Sequence, residues 1–219
     1  MELSAVLLAR VYTFIDVYEL NPNGRVYYPH LVDALVRRYG FTTFPQKPED
    51  FDEAKGVKFL NGRLGNKTID QIIIFNNGLV LDTRISTDES KELLREALVW
   101  ASRELGANFH DGMTKQTNYL SQLIFYSNSP LQKISPVLNR AASKVTDIVS
   151  GRDERLHKYE VTGVTITFDQ LTAVRKPHSF TLERRENTRF EENKFFSSAP
   201  LETKQHIELL EEIEAELED

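Results

Sequence analysis

The sequence contains no cysteine, and this absence removes several kinds of site at once. Disulfides, thiolate zinc sites, iron–sulfur clusters and a cysteine nucleophile are excluded, so histidine and carboxylate side chains are the remaining ligands for zinc. The lack of thiols is compatible with a reducing compartment.

Long apolar runs are also lacking, since nothing in the chain approaches the roughly 20 residues that a membrane span needs. The apolar residues near the amino terminus are interrupted by Arg10. They have no basic segment before them and no small-residue cleavage site after them, so they do not fit a signal peptide. We therefore expect a cytoplasmic protein with no membrane association.

The linear motifs of common catalytic sites are absent. The glycines occur singly rather than in a phosphate-binding loop, and neither Gly-x-Ser-x-Gly nor His-Glu-x-x-His is present. We therefore expect no catalytic residue, metal or cofactor that the sequence alone can name.

The histidines and clustered acids favour solvated positions over a reactive site. His110 is the one histidine beside a carboxylate, that of Asp111, and we expect this pair to lie in a loop. We expect His157 and His206 to be solvated. We also expect the acids of residues 50–53 to lie in a charged loop, where they are solvated.

What the chain does have is an ordinary globular composition. Hydrophobic residues make up 40% and charged residues 27% of 219, which is far from the composition of disordered chains. Residues 201–219 contain eight acids and one lysine, a net charge of −7, so residues 1–200 carry about +1 of the total of −6. We expect a single α+β domain over residues 1–200, followed by an acidic helix over 201–219.

Turn and cap signals divide the chain into helices and strands in mixed order. Asn61-Gly62 and Asn76-Asn77-Gly78 between apolar runs predict a β-meander over residues 57–85. Further predicted strands cover 119–126, 161–168 and 179–183. Predicted helices lie at 29–40, 86–106 and 135–151, with N-caps at Ser86 and Ser135, Pro136 at a first helical position, and ends at Gly40, Gly106 and Gly151. The 86–106 helix has one apolar stripe, formed by Leu94, Ala97, Leu98, Ala101 and Leu105, and we expect the 135–151 helix to be buried. The order favours an α+β fold with a mainly antiparallel sheet packed with helices.

Residues 11–20 give conflicting signals. Their β-branched and aromatic content favours a strand, which we predict, whereas the spacing of their polar residues favours a helix.

The C-terminal segment has the pattern of an amphipathic helix that docks either in cis or on a partner. Its glutamates crowd the end where the helix dipole disfavours them, which suggests that a basic group covers that end. The predicted partner-binding residues are Ile207, Leu210, Ile213 and Leu217.

Residues 175–196 mix cations with aromatic rings, as single-stranded nucleic acid binding requires. Four glutamates in the same stretch also fit a salt-bridged surface whose rings enter the core, or a docking surface for the acidic tail. The candidate nucleic-acid-binding residues are Arg175, Lys176, Arg184, Arg185, Arg189, Phe190 and Phe195.

Three functional hypotheses follow. The leading one is a non-enzymatic protein-interaction module, a homo-oligomer or a subunit of a larger complex, acting through the C-terminal helix and the adjacent basic segment. The alternative is single-stranded nucleic acid binding through residues 175–196. The third is a metal-dependent hydrolase or nuclease built on Asp, Glu and His without a linear motif.

Overall fold

A computed structural model describes residues 1–24, 26–152, 158–169, 171 and 176–218. The strands are β1 (Glu2–Phe14), β2 (Val57–Leu64), β3 (Lys67–Phe75), β4 (Gly78–Thr83), β5 (Gln116–Tyr126), β6 (Gly163–Ile166), β7 (Phe180–Arg184) and β8 (Lys194–Ala199). The helices are α1 (Val17–Leu20), α2 (Tyr28–Tyr39), α3 (Thr87–Leu105), α4 (Pro136–Ser150) and α5 (Thr203–Glu218). The strand order is β2-β3-β4-β1-β5-β8-β7-β6. The predicted α+β class with a mainly antiparallel sheet is confirmed.

The chain forms two compact units. Unit 1 comprises Met1–Ala5, Gln122–Ala199 and Gln205–Asp219, and unit 2 comprises Val6–Ser121 and Pro200–Lys204. The division into a domain over residues 1–200 and a helix over 201–219 stays a prediction.

In unit 2 the predicted meander is confirmed, with antiparallel pairing of β2 with β3, of β3 with β4, and of β4 with β1. The two-residue turn between β3 and β4 falls at Asn76-Asn77, as predicted. Asn61-Gly62, however, is not a turn, and that prediction was wrong. Gly62 lies inside β2, where an added Cβ would come within 2.5 Å of the Phe41 ring, so the glycine is explained by close packing rather than by chain reversal.

The helices of unit 2 begin and end at the predicted signals. The Ser86 hydroxyl accepts a hydrogen bond from the Glu89 amide at 3.1 Å, which caps α3. Gly40 and Gly106 end α2 and α3 in the left-handed conformation, with φ of 62° and 74°. Both helices contribute buried side chains to the core formed with β2, β3 and β4.

Residues 11–20 are only partly a strand. β1 ends at Phe14, and the Asp16 carboxylate accepts a hydrogen bond from the Tyr18 amide to begin the short helix α1. The strand signal therefore applies to the first part of the segment, and the helix signal applies to the second. β1 also begins earlier than expected, at Glu2.

In unit 1, β7 pairs antiparallel with both β6 and β8. Within this unit α5 packs its apolar side against β7 and β8. The contact region, called here the α5 seam, leaves a void of only about 20 Å³. Its lining residues include Phe125, Leu182, Phe195, Leu210, Ile213 and Leu217.

Helix α4 begins at its predicted Ser135 cap and Pro136, but its predicted burial is wrong. None of its residues is fully buried. Its large apolar side chains point outward instead, with exposures of 64% for Val137, 51% for Leu138, 41% for Val145 and 47% for Ile148.

Among the described residues, no helix is long and apolar enough to cross a membrane.

Candidate functional site

An apolar cavity of about 220 Å³ lies inside unit 2, between α1, α2 and α3 on one side and strands β3 and β4 on the other. Its wall is formed mainly by aliphatic side chains, those of Val17, Leu20, Val26, Leu31, Leu35, Ile72, Ile74, Leu79, Leu94 and Leu98. Cavities lined in this way, with a few polar groups at one end, are typical small-molecule sites.

The cavity exists because α3 presents alanines where larger residues would fill the space. Ala97 and Ala101 are four residues apart, so they lie one above the other on the helix face that lines the cavity. Both belong to the apolar stripe that the sequence predicts, but their small volume leaves room between α3 and its neighbours.

The polar end of the cavity is formed by Tyr28 and Glu53. The Tyr28 hydroxyl donates a hydrogen bond to Glu53 Oε1, and the Tyr28 ring stands edge-on to Phe51 with their centroids 5.5 Å apart. Partial burial raises the pKa of Glu53 above its ordinary value. This carboxyl group is therefore less well solvated than a surface acid, contrary to the expectation of a solvated loop.

Two backbone hydrogen bonds hold this end of the cavity to the β3–β4 turn. The Asn76 amide donates to the Glu53 carbonyl at 3.3 Å, and the Val17 amide donates to the Asn76 carbonyl at 3.2 Å. One turn thus anchors both the segment that carries Glu53 and the start of α1. Tyr18, which lines the cavity and is 69% exposed, marks its opening.

The predicted partner-binding stripe of α5 is covered within unit 1. Leu210 is 2% exposed, and Ile207, Ile213 and Leu217 are partly buried. Three of the four line the α5 seam, so this stripe packs in cis.

The C-terminal end of α5 also receives the basic group that its glutamates suggested, in cis. The Lys133 ammonium donates to the Leu217 carbonyl at 2.6 Å. Burial opposes the ionisation of Glu214, but hydrogen bonds from the Met1 amino group, the Ser127 hydroxyl and the Asn128 amide prevail and lower its pKa.

Within the basic segment, Arg184 is an interior residue. It is 8% exposed, its guanidinium lies 5.0 and 5.3 Å from the ring centroids of Phe190 and Phe195, and it donates to the Phe190 carbonyl at 2.8 Å. It also pairs at 3.5 Å with Glu160, whose side chain is only 4% exposed. These contacts are those of a structural ion pair.

The other candidate nucleic-acid-binding residues do not form one surface with Arg184. Phe195 is 1% exposed, Phe190 is partly buried, and Lys176, Arg185 and Arg189 are exposed. Arg175 lies outside the described residues, as does His157. The structure thus separates the interior members of this set from the exposed ones.

His206 is fully buried, so the expectation that it is solvated was wrong. Its Nε2 lies 2.8 Å from the Ser197 hydroxyl, which donates to the Thr181 carbonyl at 2.7 Å. Its Nδ1 has no hydrogen-bond partner in the part of the chain that the structure describes. Burial lowers the pKa of His206 to about 4.

Asp111 and Asp50 have local structural roles. The Asp111 carboxylate pairs with Arg95 at 3.1 Å, and Asp50 accepts hydrogen bonds from two backbone amides. Among the residues described, no group of three or more His, Asp or Glu side chains is placed to hold a metal ion.

The cavity was not predicted from the sequence. Its one available signal was the pair Ala97 and Ala101 on an otherwise leucine-rich stripe, which indicates a shallow helix face but not what lies opposite. Tyr28 and Glu53 are 25 residues apart, and nothing local links them.

No protein-family model matches this chain, and no curated protein sequence matches it either.

Proposed function

We propose that the protein is a non-enzymatic binding protein that holds a small apolar molecule in the cavity of unit 2. The observation that carries this proposal is the combination of about 220 Å³ of space, an aliphatic wall and one polar pair at the end. Protein interiors otherwise fill their space to the density of organic crystals.

Cavity size supports an organic ligand. An engineered apolar cavity of about 150 Å³ stays dry and binds benzene, so this one has room for a molecule of about six carbons.

The polar groups favour binding over catalysis. Among the described residues that line the cavity, Glu53 is the one carboxylate and no histidine, lysine or arginine is present. Acid–base catalysis uses titratable groups held in different environments, whereas a single carboxylate with a phenol suffices to orient a ligand.

The test is a titration of 15N-labelled protein with 1-hexanol, followed by NMR. We expect saturable shifts in the amide signals of the cavity wall, and we expect Ala101→Leu to abolish them by filling the space. Ala141→Leu, on the exposed face of α4, is the matched control and should bind as the native protein does.

Two results would contradict the proposal: no saturable shifts in the native protein, or equal shifts in native protein and Ala101→Leu. Ala97→Leu, at the neighbouring position on α3, serves if Ala101→Leu does not fold.

A second proposal keeps the protein-interaction hypothesis but moves it from α5 to α4. The outward side of α4 carries Val137, Leu138, Val145 and Ile148, and contiguous exposed apolar side chains mark interaction surfaces. Helical spacing places Arg140 and Lys144 along one edge of this stripe. We therefore propose a protein partner whose apolar face is bordered by carboxylates.

This second proposal predicts that Val145→Asp abolishes a stoichiometric complex formed by the native protein, while Ser143→Asp, an exposed position off the stripe, leaves the complex intact. Equal behaviour of the two variants would refute it. Binding to anionic vesicles, lost in Val145→Asp, would refute it in favour of a membrane surface.

A further inference from the structure

The charge at the polar end of the cavity bears on which class of ligand binds there, and this inference rests on the proposed binding function. Among the described residues that line the cavity, Glu53 is the one that carries a formal charge. A ligand that enters with its apolar body against α3 meets this carboxylate with its polar end.

No protein cation neutralises Glu53 among the residues that the structure describes. Lys55, the nearest lysine in sequence, pairs at 3.0 Å with Asp52, and neither residue lines the cavity. The partner of Glu53 is the neutral hydroxyl of Tyr28, which donates to Oε1. Partial burial raises the pKa of Glu53, and no positive charge among the described residues opposes this shift.

Apart from Tyr18 at the opening, the remaining polar side chain of the lining is that of Asn21, and it is already satisfied. The Asn21 side chain closes its own loop, because its amide donates to the Val26 carbonyl at 2.9 Å and its carbonyl accepts from the Val26 amide at 2.9 Å. Recognition of a polar head group therefore falls to Glu53 and Tyr28.

We infer that the cavity takes an apolar molecule whose polar end is a primary amine, with the ammonium group hydrogen-bonded to the Glu53 carboxylate. An alkyl ammonium, like the lysine side chain, is charged at neutral pH. Its hydrogen bond to a carboxylate is charge-assisted and stronger than that of a neutral alcohol. A carboxylic acid of the same length is repelled, because two carboxylates meet at a poorly solvated end.

The experiment compares three six-carbon probes that differ in the head group alone: hexylamine, 1-hexanol and hexanoate. Dissociation constants are measured at pH 7.5 by NMR titration of the full-length protein. We expect hexylamine to bind about tenfold more tightly than 1-hexanol, the factor that corresponds to one charge-assisted bond, and hexanoate to bind most weakly.

Variants assign the selectivity to Glu53. Glu53→Gln should reduce the affinity for hexylamine to that for 1-hexanol and change the latter by no more than about twofold. Asp52→Asn removes the neighbouring carboxylate, which lies outside the cavity lining, and should leave all three affinities unchanged.

The outcomes separate this inference from the proposed function. Equal affinity for hexylamine and 1-hexanol, tight binding of hexanoate, or unchanged selectivity in Glu53→Gln overturns the amine assignment while the binding function stands. Failure of all three probes to bind overturns both.

Discussion

The cavity of unit 2 and the α5 seam of unit 1 are lined by the same kinds of apolar side chain, yet they leave about 220 and about 20 Å³ of space. In the seam, Leu210 and its neighbours pack closely. In the cavity, Ala97 and Ala101 stand where larger side chains would close it. This difference shows that an apolar lining alone does not indicate a ligand site. An apolar lining that encloses space and has polar groups at one end does.

The two regions also use their titratable groups differently. His206 is fully buried and lies in hydrogen-bonding contact with Ser197. Glu53 lies beside open space with a tyrosine for a partner. We therefore assign His206 a structural role and Glu53 a binding role.

The largest effect that sharpens this comparison is expected at Arg184. Arg184→Ala should destabilise the protein by about 4 kcal/mol, because it removes a buried side chain packed on the Phe190 and Phe195 rings. It also takes one of two cations from the buried Glu160 carboxylate and leaves Lys158 as the other. Arg185→Ala removes the same charge from an exposed position and should change stability by less than about 0.5 kcal/mol. Urea denaturation measures both, and similar values would mean that Arg184 is a surface residue.

The next effect is expected in the α5 seam. Leu210→Ala should cost about 3 kcal/mol, because Leu210 is 2% exposed and its removal opens a void in a filled region. Denaturant unfolding checks this value. A loss below about 1 kcal/mol would show that α5 does not pack as described.

His206 should make stability depend on pH. Its pKa of about 4 in the folded protein lies below the ordinary value of 6.5, so the unfolded chain binds a proton first as the pH falls. This contribution is complete above pH 6.5 and is lost as the pH falls towards 4, by up to about 3 kcal/mol. Unfolding free energies measured between pH 7.5 and 4.5 should fall more steeply with decreasing pH in the native protein than in His206→Gln. Parallel curves would refute this assignment.

The smallest effects are expected for alanine-to-leucine substitutions, one in each unit. Ala199→Leu in unit 1 should cost about 2 kcal/mol, because Ala199 is fully buried and a larger side chain there has to displace its neighbours. Ala101→Leu faces the cavity and should change stability by less than about 1 kcal/mol. Thermal melts of both variants compare them, and equal losses would mean that the cavity is not open space.

Sequence patterns predicted the local parts of the fold because their physical causes act over a few residues. The Ser86 cap, the left-handed Gly106 and the Asn76-Asn77 turn each depend on near neighbours, and all were confirmed. The turn prediction at Asn61-Gly62 was wrong because the glycine allows close packing against the Phe41 ring, which is distant in sequence.

The candidate site could not be predicted, since it depends on which surfaces face each other. The exposure of α4 and the burial of His206 were not predicted for the same reason. An amphipathic sequence pattern does not say which face of a helix the rest of the protein covers. Tyr28 and Glu53 meet only through the placement of α2 beside the segment anchored at Asn76.

The most direct test of the central claim is a crystal structure of the protein grown with saturating hexylamine. The account predicts continuous density along the α3 alanines in the cavity of unit 2, with the amine nitrogen within hydrogen-bonding distance of the Glu53 carboxylate. A cavity without ligand density, or one closed by the protein's own side chains, would contradict it.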